Sequence, residues 1–142
     1  MKNTLALIAL SGLIIVAFII GANFTTPLSC GAACDKQIFT VSPAEFSKQL
    51  SEESVTIIDV RRPDEYVAGH IEGSVNADIS SVDEFNQFLD TLDKNNKYLV
   101  YCRSGNRSAQ AAQLMEEKGF LNITNLSGGI LAWQTANLPL VH

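Results

Sequence analysis

One cysteine, Cys102, stands between two patterns that together make a reactive thiol. Before it runs Tyr98-Leu99-Val100-Tyr101, apolar and aromatic, and after it Arg103-Ser104-Gly105-Asn106-Arg107-Ser108, polar and flexible. The spacing predicts a strand that hands the thiol to a loop, followed by a helix from Arg107 to Lys118 with Gly119 as its stop. Backbone N–H groups converging at a helix start hold anions and lower the pKa of a cysteine placed among them. Arg103 and Arg107 add two positive charges to the loop. A thiolate in such a cradle is a nucleophile that needs no general base. The competing reading is a cysteine packed at a strand end, the fate of most lone cysteines.

Asp59 closes a second strand pattern, Val55-Thr56-Ile57-Ile58-Asp59-Val60, directly before Arg61. A carboxylate at a strand end beside an arginine reads as a loop-bracing ion pair, so Asp59 and Arg61 are expected to organise rather than react. His70, in a Gly-His-Ile turn, reads as a hydrogen-bonded structural residue. With two histidines and no paired His/Cys spacing, the sequence supports no metal site and implies no cofactor.

The elements that must carry these groups alternate between the two periodicities. Ser42-Pro43-Ala44-Glu45 signals a helix start, with Phe46 and Leu50 on one face. The β-branched run at Val55 has the character of a strand covered on both sides. Pro63-Asp64-Glu65-Tyr66 opens a short helical turn, and a short strand is expected near Ser74-Val75-Asn76. Ser81-Val82-Asp83-Glu84 reads as a second capping box, leading Phe85, Phe88, Leu89 and Leu92 at helical spacing. Ile123 to Leu126 is a further strand, and Ser127-Gly128-Gly129 leads into a closing helix with Ile130, Leu131 and Trp133. Strands alternating with helices imply an α/β fold: a central, mostly parallel sheet with helices on both faces and ligands at the carboxyl ends of the strands.

The chain has 142 residues, 46% hydrophobic, enough for one compact domain. Its formal net charge of −5 offers no basic face to track phosphates, so no nucleic acid is expected as a partner. From Thr4 to Ala22 no charge occurs, and Lys2 precedes the run. Residues 1–22 therefore read as an N-terminal hydrophobic helix, a signal peptide or membrane anchor that contacts the membrane if uncleaved, with the domain exported to the periplasm or another extracytoplasmic space. Residues 23–38 read as a linker and 39–142 as the folded domain. Cys30 and Cys34 in the linker are open to a disulfide, to lipidation of Cys30, to pairing with Cys102, or to free thiols.

Four ordered motifs resemble the single-domain rhodanese sulfurtransferases. They are Asp59-Val60-Arg61-Arg62-Pro63-Asp64-Glu65-Tyr66; Gly69-His70-Ile71-Glu72-Gly73-Ser74-Val75-Asn76; Cys102-Arg103-Ser104-Gly105-Asn106-Arg107-Ser108; and Leu126-Ser127-Gly128-Gly129-Ile130 with Trp133. The resemblance covers about Phe39 to Leu138. It implies a rhodanese-like fold and a persulfide on Cys102, charged by thiosulfate or another sulfane donor and discharged to a thiol or to cyanide. The donor is then a small sulfur-containing anion, held by the loop Arg103, Ser104, Gly105, Asn106, Arg107 and Ser108. Four residues separate Cys102 from Arg107. The related phosphatase and arsenate-reductase branch resembles a cysteine, five residues, then arginine, and here that position is Ser108. A rhodanese-like binding or redox-sensing module without turnover is the alternative within the resemblance.

Overall fold

The computed structural model describes residues 37–142. The apolar stretch 1–22, Cys30 and Cys34 lie outside the described residues. Five strands and five helices alternate: β1 Gln37–Val41, α1 Pro43–Gln49, β2 Val55–Asp59, α2 Pro63–Val67, β3 Ser74–Asn76, α3 Val82–Asp90, β4 Lys97–Tyr101, α4 Asn106–Glu117, β5 Asn122–Leu126 and α5 Gly129–Thr135. The five strands of the sheet pair in parallel, in the order β1-β5-β4-β2-β3, and an isolated antiparallel bridge joins His70 to Val141. Among the described residues no helix is long and apolar enough to cross a membrane.

Alternation along the central strands divides the core into two layers. Tyr98 and Val100 point to one face, where they pack with Ile58 of β2, Phe85 and Leu89 of α3, Ala111, Ala112 and Met115 of α4, and Phe120 just after it. Leu99 and Tyr101 point to the other, against Phe46 of α1 and Ile130 and Trp133 of α5. Both faces of β4 are therefore dry, which is why its sequence is continuously apolar rather than alternating. Phe46 and Trp133 meet edge to face at 6.1 Å between ring centroids, and the indole N–H donates to the Pro139 carbonyl at 2.9 Å.

Two details differ from the sequence expectations. Strand β1 starts at Gln37, inside the stretch read as linker, and pairs with β5 from Gln37 opposite Asn122 to Val41 opposite Leu126. Ser81 is the N-cap of α3 but makes no side-chain cap hydrogen bond, at φ −93° and ψ 74°. The turn before it is held instead by Asp78, whose Oδ1 accepts from the Ser80 N–H at 2.8 Å and the Ser80 hydroxyl at 2.7 Å. Ser42 does cap α1, accepting from the Glu45 N–H at 3.4 Å. Strand β4 ends at Tyr101, leaving Cys102 as the first residue of the loop, as the sequence pattern implies.

Candidate active site

The loop after β4 turns sharply at Gly105, the N-cap of α4, with φ +99°. That left-handed conformation suits glycine, and a Cβ there would approach the Gly128 backbone nitrogen to 3.3 Å. The turn directs backbone N–H groups back at the thiol. Gly105 N–H donates to Cys102 Sγ at 3.1 Å, and the Ser108 hydroxyl, also placed to donate to the Gly105 carbonyl at 3.1 Å, lies 3.4 Å from Sγ. Cys102 is 1% exposed. Burial alone pushes its pKa up, but the Ser108 hydroxyl and the N–H groups of Ser108, Gly105 and Ser104 outweigh it and hold the thiol below its ordinary value.

A second helix start locks the loop from outside. Ile130 N–H donates to the Cys102 carbonyl at 2.8 Å and Leu131 N–H to the Arg103 carbonyl at 3.2 Å. With these carbonyls turned toward α5, the loop's N–H groups are left to face the sulfur. Gly129 makes the approach possible, because a Cβ on it would lie 2.5 Å from the Cys102 oxygen and 2.6 Å from the Arg103 carbonyl carbon. The glycine pair was legible as a motif, whereas its contact with the thiol loop was not.

The expected site residues separate into three groups. Cys102, Gly105 and Ser108 converge on the sulfur. Arg103, Ser104 and Asn106 are exposed on the outer surface of the loop, with the Ser104 N–H still contributing to the cradle. Arg107 turns away. Its guanidinium binds Glu65 of α2 in a bidentate pair at 2.8 and 2.9 Å, so its outer nitrogens are occupied by that carboxylate here. Arg107 holds the Glu65 carboxyl at about 2, and Glu65 in turn raises the arginine. Glu65 also accepts from the Arg62 N–H at 3.3 Å, completing the first turn of α2. Read from sequence only as part of a short packing helix, Glu65 had one available signal, its place in the Asp59–Tyr66 motif.

Asp59 and Arg61 form a closed, buried unit beside the loop. Asp59 Oδ2 receives Arg61 Nη2 at 2.6 Å, Asp59 Oδ1 receives the Arg61 backbone N–H at 2.9 Å, and Nη2 also reaches the Gly69 carbonyl at 2.8 Å. The guanidinium carbon stands 5.7 Å from the Tyr101 ring centroid, on the strand that delivers Cys102. Asp59 engages Arg61 rather than Arg107. Asn76 carries the same strand end further, donating to the Asp59 and Arg61 carbonyls at 3.0 and 2.8 Å. His70 stacks on Tyr66 at 3.8 Å, and its Nδ1 lies 3.0 Å from the Tyr66 carbonyl. Among the described residues no cluster of three or more His, Cys, Asp or Glu could hold a metal ion.

Beside the loop lies a cleft of about 330 Å³ whose walls include Arg62, Glu65, Arg103, Leu131, Leu140 and His142. Arg103 makes no ion pair among the described residues, and Leu131 is 45% exposed.

A family model described as a rhodanese-like domain matches residues 42–136. The chain is 34% identical over 91 residues to a tRNA uridine(34) hydroxylase of Pelagibacter ubique, across 64% of this chain and 30% of that protein. It is 33% identical over 111 residues to the tRNA uridine(34) hydroxylase of Chlamydia trachomatis serovar L2, across 75% of this chain and 34% of that one. The chain thus spans about a third of the length of these curated relatives. Among solved structures, a rhodanese-related protein of Thermoplasma volcanium superposes with a TM-score of 0.63 at 34% identity, covering 72% of this chain and 97% of that one. A rhodanese-like domain protein of Staphylococcus aureus gives 0.59 at 27% identity, covering 67% and 90%.

Proposed function

The chain belongs to the rhodanese-like domain family, and from that premise we propose that it carries sulfane sulfur as a persulfide on Cys102. The observation that carries the reading is the Cys102 sulfur itself, buried yet facing the Gly105 N–H at 3.1 Å and the Ser108 hydroxyl at 3.4 Å. Neutral dipoles fixed around a sulfur stabilise negative charge without neutralising it, as a sulfur that must accept and later release an atom requires. The thiolate attacks the outer sulfur of thiosulfate or a related donor. A new S–S bond forms at Cys102, the donor's S–S bond breaks, and its electron pair leaves on sulfite. A thiol or cyanide then attacks the outer sulfur and releases the Cys102 thiolate. No proton need move in the first step, consistent with a site whose described residues place no base on the sulfur.

Mass spectrometry of the full-length protein after incubation with thiosulfate tests the proposal. One added sulfur atom on the Cys102 peptide is expected. Equal uptake by Cys102→Ser would overturn it, and normal function of Cys102→Ala in cells would favour the binding or redox-sensing module instead.

The names of the curated relatives motivate a second reading, in which the domain serves modification of a tRNA uridine. A net charge of −5 opposes contact along a polyphosphate, leaving Arg62 and Arg103 at the cleft as its local support. Retention of tRNA at physiological salt, lost on Arg103→Ala, would favour that reading over the absence of a nucleic-acid partner. Location separates the two as well. The uncharged run from Thr4 to Ala22 behind Lys2 supports export or membrane anchoring, and fractionation that finds the chain in the cytosol would remove that part of the proposal.

A further inference from the structure

Four guanidinium groups and four carboxylates surround the sulfur loop and its cleft. Arg61 is consumed by Asp59. Arg62 lies 3.5 Å from Asp64 and 3.7 Å from Glu65. Arg107 is held by Glu65 through both of its outer nitrogens and also feels the charges of Cys102 and Asp78. Arg103 alone of the four makes no ion pair among the described residues. The neighbourhood is therefore close to neutral before Cys102 ionises and negative afterwards.

Glu65 is the carboxylate on which this balance turns. It occupies Arg107, approaches Arg62, and forms part of the cleft wall together with Arg103. A donor carrying two negative charges in that cleft meets a Glu65 carboxylate that also keeps the Arg107 guanidinium paired, leaving Arg103 as the wall's cation without an ion pair among the described residues. A donor with one negative charge meets half the repulsion. At separations of several ångströms in a partly screened cleft, one charge more or less changes the donor preference by about tenfold. The cleft volume agrees with a donor larger than an inorganic anion, since about 330 Å³ matches the lower range of small-molecule sites. Leu131 and Leu140 supply an apolar wall for its organic part.

We infer that Glu65 is a specificity-determining residue that biases Cys102 toward singly charged organic sulfane donors and against small dianions such as thiosulfate. The inference rests on the reading of Cys102 as a sulfur carrier. In the favoured reaction the thiolate attacks the terminal sulfur of a thiosulfonate; the S–S bond forms, the donor's sulfur–sulfur bond breaks, and a sulfinate leaves with the electron pair.

The test compares methanethiosulfonate, a monoanion, with thiosulfate, a dianion, on the full-length protein, with cyanide as acceptor. Glu65→Gln removes one negative charge and is expected to raise the thiosulfate-to-methanethiosulfonate ratio of kcat/KM about fivefold to tenfold, mainly through a lower KM for thiosulfate. Glu65→Asp keeps the charge and should hold the ratio near that of the native protein. A ratio that does not rise in Glu65→Gln overturns the inference, and so does an equal rise in Glu65→Asp. Thiosulfate binding to Cys102→Ser, with and without Glu65→Gln, separates this failure from failure of the sulfur-carrier reading. Tighter thiosulfate binding in the Gln variant, with no sulfur uptake from either donor by the protein that retains Cys102, sinks the carrier and leaves the charge selection standing. Loading from both donors with an unmoved ratio does the reverse.

Discussion

Strands β2 and β4 lie side by side in the sheet and end at the same level, Asp59 opposite Tyr101, yet their ends use polar groups in opposite ways. The β2 end closes a full ion pair on itself, with Asp59 0% and Arg61 5% exposed and a carbonyl taking the remaining guanidinium donor. The β4 end supplies its sulfur with N–H and hydroxyl dipoles and no direct counter-ion. A paired charge is satisfied and inert; a sulfur held by dipoles keeps its nucleophilic electrons available. On the proposed sulfur-carrier reading the difference separates frame from chemistry, because a buried pair is costly to break and a counter-ion against the thiolate would blunt its attack.

The strongest way to test that division is Cys102→Ser, which is expected to abolish sulfur uptake beyond about 1000-fold while leaving thermal stability nearly unchanged. Asp59→Ala should act in the opposite sense. It strands a buried guanidinium, so the midpoint of chemical denaturation should fall by the equivalent of about 3–5 kcal/mol. An Asp59→Ala protein of native stability that takes up no sulfur would break the comparison, because Asp59 would then belong to the chemistry. Gly129→Ala tests the support shared by loop and helix. Its Cβ would meet the Cys102 oxygen at 2.5 Å, and with φ at +58° the change should cost at least about 2 kcal/mol, seen in denaturation, together with slower uptake as the loop's carbonyls lose α5.

Ser108→Ala sharpens the chemical side alone. The Ser108 hydroxyl favours the thiolate, so its loss should raise the Cys102 pKa and slow alkylation near neutral pH. The native pH–rate curve should rise below the range of a free cysteine. The smallest effect is expected from the Glu65–Arg107 pair in acid. Because the folded Glu65 pKa is depressed to about 2, its contribution is present above the unfolded value of about 4.5 and disappears as pH falls through about 2. Glu65→Gln should therefore flatten the dependence of Tm on pH across that window.

Much of the frame was legible from residue order. The runs at Val55, Tyr98 and Ile123 became β2, β4 and β5, and Phe85 and Leu89 became the buried face of α3 with Phe88 and Leu92 packed beside them. Strand β1 was not legible, because an edge strand with Phe39 and Thr40 exposed lacks the apolar continuity of a covered one. The Ser81 capping box failed for a local reason: Asp78 and Ser80 bond each other in the preceding turn, and Ser81 is left at dihedrals from which its hydroxyl reaches no N–H.

By itself the sequence determined what depends on neighbours a few residues apart: the strand, the glycine turn and helix start around Cys102, and the adjacent pair Asp59 and Arg61. Tertiary structure decided the partners that lie far along the chain. It gave Arg107 to Glu65, 42 positions earlier, and brought Gly129 against the Cys102 carbonyl. The reason is geometric. Short motifs follow from backbone preferences and capping, which act within a turn or two, whereas the direction a guanidinium takes depends on which strand lies beside its own. That order, β4 between β5 and β2, is fixed only when both faces of the sheet are covered.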